Sequence, residues 1–373
     1  MNNKNGLRKI RVLLVSRDHP PFAEGGMGVC SGRIQQLLPE FGIEVTTVAG
    51  DPHAAACRRE CKKGTTIYWV PLPGPNFLTK IPPFAFFAGR LISRLQRDFD
   101  LIYSLSTPFW AKVTRPLIVH FQGSRYGEYL ACKEVNRKVL AFLNKLYVPF
   151  ERRLLRSADG VIIPSNNMLD ELNSMAGIKK EYAVIPNGVD ISMFKPASSR
   201  VFKAASKRVL FAGRLDARKG IETLFYAFNE AGKAAGAKLT VAGHGPEKSR
   251  LMRLARSLDI QADFIGKVSQ EDLAQIYNAA DLLVMPSLYE PFGMVALEAM
   301  ACGTPVIVSS ACPDLGMPRF KKQDAHGLGK LMLAALSSEE RLKELSDKAL
   351  GISAGYSWGQ VIPELAKYIK KFT

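Results

Sequence analysis

The chain predicts a two-domain α/β protein, each domain a parallel sheet with helices on its faces. Three observations predict it. Short β-branched apolar runs alternate with helix-length amphipathic stretches, the rhythm of parallel strands joined by crossover helices. That rhythm stops at a small, polar segment, ASSRVFKAASK, and then begins again, which marks a linker. The length, 373 residues, suits two domains of ordinary size. The expected divisions are 1–195, 196–355 and a terminal helix at 356–373. The two sheets should face each other across a cleft, with that helix packing back towards the first domain.

Each element has a local reason. Ile10–Ser16 (IRVLLVS) is short and β-branched, as a buried parallel strand should be. RDHPPFAEGGMG stops it, and a helix begins near Gly28 with Ile34, Leu37 and Leu38 inward. A strand, a glycine loop and a helix can present backbone N–H groups to an anion, though the glycines alone could simply turn the chain. Ile43–Ala49 and Thr66–Val70 read as strands. The proline-rich 71–83 precedes FAFFAGRLISRLQRDF, apolar at Phe84, Phe86, Phe87, Leu91, Ile92 and Leu95 and basic at Arg90, Arg94 and Arg97. A basic amphipathic helix beside aromatics can lie on a membrane surface or pack on the sheet with solvated arginines. Phe84, Phe86, Phe87, Arg90 and Arg94 are the membrane-contact candidates.

Asp100–Ser104 and Pro116–His120 are further strands. His120 ends the second, where active-site groups collect in open α/β sheets. A basic helix follows over Lys133–Arg156, with Val139, Leu140, Leu143, Leu146 and Phe150 apolar. Gly160–Pro164 is a strand, a helix runs to Met175, and Tyr182–Pro186 leads to the turn Asn187-Gly188. The second half repeats the pattern, with strands at Arg208–Ala212, Lys238–Ala242, Phe264–Gly266, Asp281–Pro286 and Val306–Ser309. Its last helix carries Trp358, Val361, Ile362, Leu365 and Tyr368 at helical spacing.

Composition sets bounds. Apolar residues make up 47% and the net charge is +17. Residues 1–195 hold 27 Lys/Arg against 16 Asp/Glu, net +11; residues 196–373 hold 24 against 18, net +6. This excess suits a solvated surface, an anionic lipid surface or a phosphorylated ligand. The basic residues are scattered without a nucleic-acid motif, so no nucleic-acid partner is expected. The six cysteines form no C-x-x-C pair. Cys57 and Cys61 have one-turn spacing, and His53 alone does not complete a zinc set with them. Reduced, mostly buried thiols point to a cytoplasmic protein, with peripheral contact at the inner membrane face as an option. The N-terminus lacks a secretory pattern, and no run approaches the roughly 18 apolar residues of a membrane span.

The chemistry gathers around LYEPFGMVALEAMACGTPV, residues 288–306. Glu290 falls in a loop leaving a strand, and Glu298 about two turns into the helix that follows the turn Pro291-Phe292-Gly293. Arg214 and Lys219 fall in the loop after the second domain's first strand. Both loops open on one sheet edge. Arginine and lysine match phosphate oxygens, and carboxylates accept hydrogen bonds from paired hydroxyls. A nucleotide sugar has both parts.

Here the sequence resembles the GT-B-fold retaining glycosyltransferases of family 4, the group 1 glycosyl transferases. The resemblance runs along nearly the whole chain: PPFAEGGMG, IVH at 118–120, IPNGVD at 185–190, FAGRLDARKG at 211–220, VAGHGP at 241–246 and EPFGMVALEAMACGTPVI at 290–307. It implies two Rossmann-like domains. It implies that Arg214 and Lys219 hold the donor diphosphate and stabilise it as it leaves. Glu298 would bind the ribose hydroxyls. Glu290, with the backbone N–H groups of Phe292, Gly293 and Met294, would hold the donor sugar. Gly25 and Gly26 would approach the diphosphate or sugar, His120 would stand by the anomeric centre, and Val268 would lie near the base. His120, Glu290, Arg214 and Lys219 are thus the catalytic candidates. The crevice loops hold no Asp-x-Asp pair (Asp98-Phe99-Asp100 falls outside them), so no metal and no further cofactor are expected beside the nucleotide sugar. One departure is that Ser310–Phe320 is shorter than the family's usual segment, which carries a Gly-Gly stretch and a further short strand.

The expected reaction is transfer of a hexose from a UDP- or GDP-sugar to a hydroxyl of a lipid-linked or cell-surface glycan precursor. PPFAEGG also looks like glycogen- and starch-synthase-type members, which leaves a glucan acceptor open. A nucleotide-sugar epimerase of the same fold is disfavoured by the two-glutamate motif. A non-catalytic nucleotide-sugar or anionic-polymer binding protein would not need all of these groups together.

Overall fold

The computed structural model describes residues 9–23, 25–62, 64–74, 77–177, 180–197 and 207–373, with backbone alone at 77 and 78. Most of the expected linker, 198–206, lies outside the described residues, as does Glu24 of the PPFAEGG motif. The chain forms two compact units. Unit 1 comprises Met1–Tyr129, Val139–Gly188 and Trp358–Thr373; unit 2 comprises Leu130–Lys138 and Val189–Ser357. The divisions expected at 195/196 and 355/356 therefore fall at 188/189 and 357/358. Val189 and Phe194 join the core of unit 2, and Val189 bridges Ser357. Burial of these side chains draws the boundary upstream of the polar segment.

Among the described residues unit 1 holds eight strands: β1 (Ile10–Ser16), β2 (Ile43–Asp51), β3 (Arg58–Lys62), β4 (Thr65–Pro71), β5 (Leu101–Leu105), β6 (Leu117–His120), β7 (Gly160–Ile163) and β8 (Tyr182–Val184). Their order is β3-β4-β2-β1-β5-β6-β7-β8, parallel except for β3 against β4. Central strands are buried on both faces. On β1, Leu13 and Val15 enter one core and Val12 and Leu14 the other, as the two-residue repeat of a strand requires. The second core is closed by helix Trp358–Lys370, through Trp358, Val361, Ile362, Leu365 and Ile369. Each such apolar side chain contributes about 1.5–3 kcal/mol on burial.

Two elements depart from the sequence expectation in unit 1. The edge strand β3 reads RRECK and has no apolar alternation to reveal it. It is held instead by Trp69 Nε1 donating to Glu60 (2.7 Å) and by Arg58 beside Asp51 (3.0 Å). It also places Cys61 on a strand, so Cys57 and Cys61 share no helical turn; both are exposed, and the other four thiols are buried. The helix expected from residue 84 instead spans Phe77–Leu95 and runs through Pro82 and Pro83. Ile81, Phe84, Ala85, Ala88 and Ile92 are buried at helical spacing, and that packing outweighs the propensity of two prolines.

Unit 2 holds β9 (Arg208–Ala212), β10 (Lys238–Ala242), β11 (Ala262–Gly266), β12 (Leu282–Met285), β13 (Val306–Ser309) and β14 (Arg319–Phe320), all parallel, in the order β11-β10-β9-β12-β13-β14. The short β14 lies in the segment after Ser310 that is shorter than the family's usual one. Ser310 N–H donates to Phe320 (2.7 Å), and Cys312, Leu315 and Met317 are buried. A shortened loop thus still reaches the sheet edge. No helix among the described residues is long and apolar enough to cross a membrane.

Candidate active site

In unit 2 the strand order reverses between β9 and β12. Connections leave the two strands in opposite directions there, opening a crevice at their carboxyl ends. The loops that follow β9 and β12 carry the predicted groups. They are tied backbone to backbone: Leu288 N–H donates to the Arg218 carbonyl (2.6 Å). Gly220 sits at φ +57°, and a Cβ there would come within 2.2 Å of the Pro286 oxygen. The loop after β10 joins in the same way. A Cβ on Gly243, at φ +137°, would come within 1.8 Å of the Gly213 oxygen, and Leu215 N–H donates to His244 (2.9 Å). Only glycine permits such approach, which explains why FAGRLDARKG and VAGHGP are glycine-punctuated.

This frame pairs Lys219 Nζ with the Glu290 carboxylate, at 17% and 13% side-chain exposure. Ser287 Oγ donates to the same Glu290 oxygen (3.3 Å). Arg214 is 66% exposed, its Nε 3.6 Å from Asp216. Asp216 is itself engaged by the Arg218 guanidinium (2.9 Å) and backbone N–H (3.1 Å). The Arg214 guanidinium therefore stands largely open to solvent. The helix Met294–Ala301 begins in the β12 loop behind Glu290. Its N-cap, Gly293, lies at φ +97° with no side-chain cap, so first-turn N–H groups, which lack intrahelical acceptors, are presented at the site.

Glu298 lies on that helix, 8% exposed. Tyr277 on helix Gln270–Ala279 donates its hydroxyl to Glu298 Oε2 (2.9 Å), and Thr304 Oγ1 holds the Tyr277 carbonyl (2.6 Å). Burial lifts the Glu298 carboxyl to about 7, with the Tyr277 hydrogen bond pulling the other way. Phe292 is buried in the unit 2 core. Val268 is half-buried against that core in the segment after β11, two strands away from β9. Tyr277 and Ser287 were not anticipated. Neither has a sequence signal, because each acts only through a partner brought up by folding.

The remaining predicted residues belong to unit 1. Gly25 caps helix Gly26–Leu37 at the carboxyl end of β1, with nothing within 4 Å of where its Cβ would be. His120 ends β6 but is only 2% exposed. Its Nδ1 lies 2.6 Å from the Tyr103 hydroxyl and its Nε2 2.7 Å from Gln122 Nε2. Gln122 and Asn187 form a reciprocal amide pair (2.8 and 2.5 Å). The Gln122 amide nitrogen is thereby a donor, His120 Nε2 an acceptor, and the ring proton sits on Nδ1 facing Tyr103. Burial holds the ring at about 3, so it stays neutral. Both ring nitrogens are occupied, and the half-buried Gln122 stands outside the ring. Asn187 explains part of IPNGVD; Gly188 explains more, since a Cβ there would strike the Trp358 ring at 2.4 Å.

His120→Ala is expected to destabilise the fold by about 1–3 kcal/mol at pH 7, because Tyr103 and Gln122 lose a buried partner. The same variant should be less acid-labile. A ring held at about 3 binds no proton as pH falls below 6.5 while the unfolded ring does, so stability drops. Between pH 7 and pH 5 this amounts to about 2 kcal/mol, and the variant lacks that term. Urea unfolding at the two pH values reads both effects; an equal pH 7-to-5 loss in both proteins would contradict the buried neutral ring.

The membrane-contact set is corrected in one member and weakened in another. Phe84 is 1% exposed and packs in the unit 1 core. Phe87 is half-buried against the same core. Phe86 is 44% exposed, with the Arg90 guanidinium 5.7 Å from its ring, and Arg94 is also exposed. The helix turns Phe84 to the sheet and Phe86 to water, two residues being about 200° of rotation.

Family models match both halves: Glycosyltransferase Family 4 over residues 24–193 and Glycosyl transferases group 1 over residues 197–349. An uncharacterized glycosyltransferase of Methanocaldococcus jannaschii is 29% identical over 346 residues, covering 86% of this chain and 84% of that protein. Among solved structures, sucrose-phosphate synthase from Thermosynechococcus elongatus aligns with a TM-score of 0.81 at 22% identity, over 97% of this chain and 99% of the other. Anabaena HepE, in complex with UDP and glucose, aligns with a TM-score of 0.73 at 17% identity, over 97% and 100%.

Proposed function

Because the chain belongs to the group 1 glycosyl transferases, we propose that it moves a hexose from a UDP- or GDP-sugar to a hydroxyl of a lipid-linked or cell-surface glycan precursor, with the anomeric configuration retained. The observation that carries the proposal is the Lys219–Glu290 pair at the strand-order reversal, with Glu298 just over one turn into the helix behind it. In this reading the bond between the sugar C1 and the diphosphate oxygen breaks as the acceptor oxygen bonds to C1 and the acceptor hydroxyl passes its proton to the departing phosphate oxygen. Negative charge then grows on the diphosphate, and Lys219 and Arg214 meet it. Glu290 and the first-turn N–H groups of helix Met294–Ala301 hold the sugar, and Glu298 accepts from the ribose hydroxyls. Val268 borders the base, Gly25 and Gly26 let backbone approach the donor, and His120 acts by fixing the Gln122 amide. UDP and glucose bound to the same fold in Anabaena HepE support a UDP-hexose as the first donor to try.

Two side-chain cations at the crevice supply the countercharge that a divalent ion would bring, so turnover is expected to persist in a chelator. The test is release of nucleoside diphosphate from UDP-, GDP- and ADP-sugars by the purified chain, with and without EDTA. Slow hydrolysis of one donor, accelerated by a suitable acceptor, is the expected result. Tight donor binding with no release, even by hydrolysis, would leave a binding protein in place of the transferase. Loss of all release in EDTA would remove the metal-free part of the reading.

A further inference from the structure

We infer that unit 1 docks on an anionic phospholipid surface through the outer face of helix Lys138–Ser157. Along this helix Val139, Phe142, Leu146 and Phe150 are 72%, 61%, 50% and 40% exposed. Spacings of three and four residues place them in one stripe. The opposite face, through Ala141, Val148, Leu154 and Leu155, is buried, so packing already holds the helix without the stripe. A row of large apolar side chains left in water marks an interaction surface. The stripe continues beyond the helix. Trp110, 49% exposed, stands 6.5 Å from Phe150 by ring centroid. The Trp110 backbone N–H donates to the Ala85 carbonyl (2.9 Å), next to the exposed Phe86.

Charge identifies the occupant. The helix carries Lys138, Lys145, Arg152, Arg153 and Arg156 against one acid, Glu151, which is buried. Just past Phe150, Arg152, Arg153 and Arg156 line an open groove with Pro149 and Ser157. Guanidinium groups beside an aromatic edge suit phosphate headgroups above acyl chains. A second copy would bring the same basic rim against itself, which like charges oppose. A nucleic acid would meet the arginines but leave Val139 and Leu146 unsatisfied. A bilayer containing anionic lipid satisfies both parts at once. The surface lies on a different helix from the one that sequence patterning favoured.

The inference deepens the lipid-linked acceptor reading, and rests on it only for the use to which docking is put. The test is co-sedimentation of the full chain with vesicles of phosphatidylcholine alone and of phosphatidylcholine mixed with phosphatidylglycerol. Binding to the mixed vesicles only, weakening with salt, is expected. Phe142→Asp with Leu146→Asp should lower that binding about tenfold or more, and Arg153→Glu with Arg156→Glu about fivefold per lost charge. All four positions are exposed, and circular dichroism checks that the variants fold. Unchanged binding in folded variants, or no binding by the unaltered chain, overturns the inference. So does light scattering that shows a dimer dissolved by Phe142→Asp with Leu146→Asp, which would make the stripe a contact between copies. Release of nucleoside diphosphate in solution is read on the same samples. Docking without turnover counts against the transferase chemistry alone, and turnover without docking against the surface alone.

Discussion

Lys219→Ala is expected to lower the transfer rate at saturating donor by about 10²–10³-fold, the typical cost of removing one preorganised group aimed at developing charge. The loop that carries Lys219 is fixed by the Leu288–Arg218 hydrogen bond and by the close approach at Gly220. The ammonium therefore needs little reorganisation when the leaving diphosphate gains charge. Lys219 and Glu290 neutralise each other in the donor-free site. In the proposed reaction a nucleotide sugar parts them, its phosphates taking the lysine and its hydroxyls taking the carboxylate. Removing the lysine alone also leaves Glu290, 13% exposed, to repel an anionic donor. The variant should thus lose in donor affinity as well as in rate. Initial rates of nucleoside diphosphate release across donor concentrations separate the two. A variant that folds and turns over at the unaltered rate would remove Lys219 from the reaction.

Glu298→Gln is expected to stabilise the fold while weakening the donor. The Glu298 carboxyl sits at about 7 in the native state, above its ordinary range near 4.5. Below that range it is protonated in both states and costs nothing. As pH rises from 4.5 towards 7 the unfolded chain ionises and the native chain resists, so stability is lost, by about 3 kcal/mol once pH exceeds 7. Glutamine keeps an acceptor for the Tyr277 hydroxyl and carries no such penalty. The variant should melt higher than the unaltered protein at pH 8 and much the same at pH 4. Donor binding should move the opposite way. Hydrogen bonds to a charged acceptor are worth about 1.5–3 kcal/mol, so affinity for nucleoside diphosphate should fall about 10–100-fold at pH 8. In the unaltered protein that affinity should also rise through pH 7 by more than in the variant, because binding favours the ionised acid. Calorimetric titration at pH 6 and pH 8 reads this. Equal affinity in the two proteins would sink the ribose role, and a lower melting point at pH 8 would sink the buried-acid account. A group retained at a cost to stability is a common property of functional sites.

The strands and the charged groups that gather at the candidate site were legible because their causes are local. A parallel strand buried on both faces is a short apolar run wherever it sits, as at 12–15, 282–285 and 306–308. A loop whose backbone must touch another loop needs glycine, as at Gly220 and Gly243, and the letters record it. Glu290 and Glu298 were found because their spacing alone puts one acid in a loop and the other on the helix behind it. The polar edge strand at Arg58–Lys62 and the two-residue strand at Arg319–Phe320 carry no such local signature. Their partners, not their own side chains, make them strands.

By itself the sequence determined two α/β units, the crevice loops and the charged groups available there, since propensity, patterning and glycine placement act within a few residues. Only the tertiary structure decided what state those groups are in. Tyr277 reaches Glu298 from another helix, and burial by the surrounding core, not sequence spacing, raises that carboxyl. His120 has both ring nitrogens taken by Tyr103 and Gln122. Phe84 faces the sheet while Phe142 and Phe150 face water, although all three stand in similar basic, amphipathic helices. A helical pattern reports that two faces differ. Which face is covered depends on the neighbours that folding brings against it, and that is set by contacts between residues far apart in the chain.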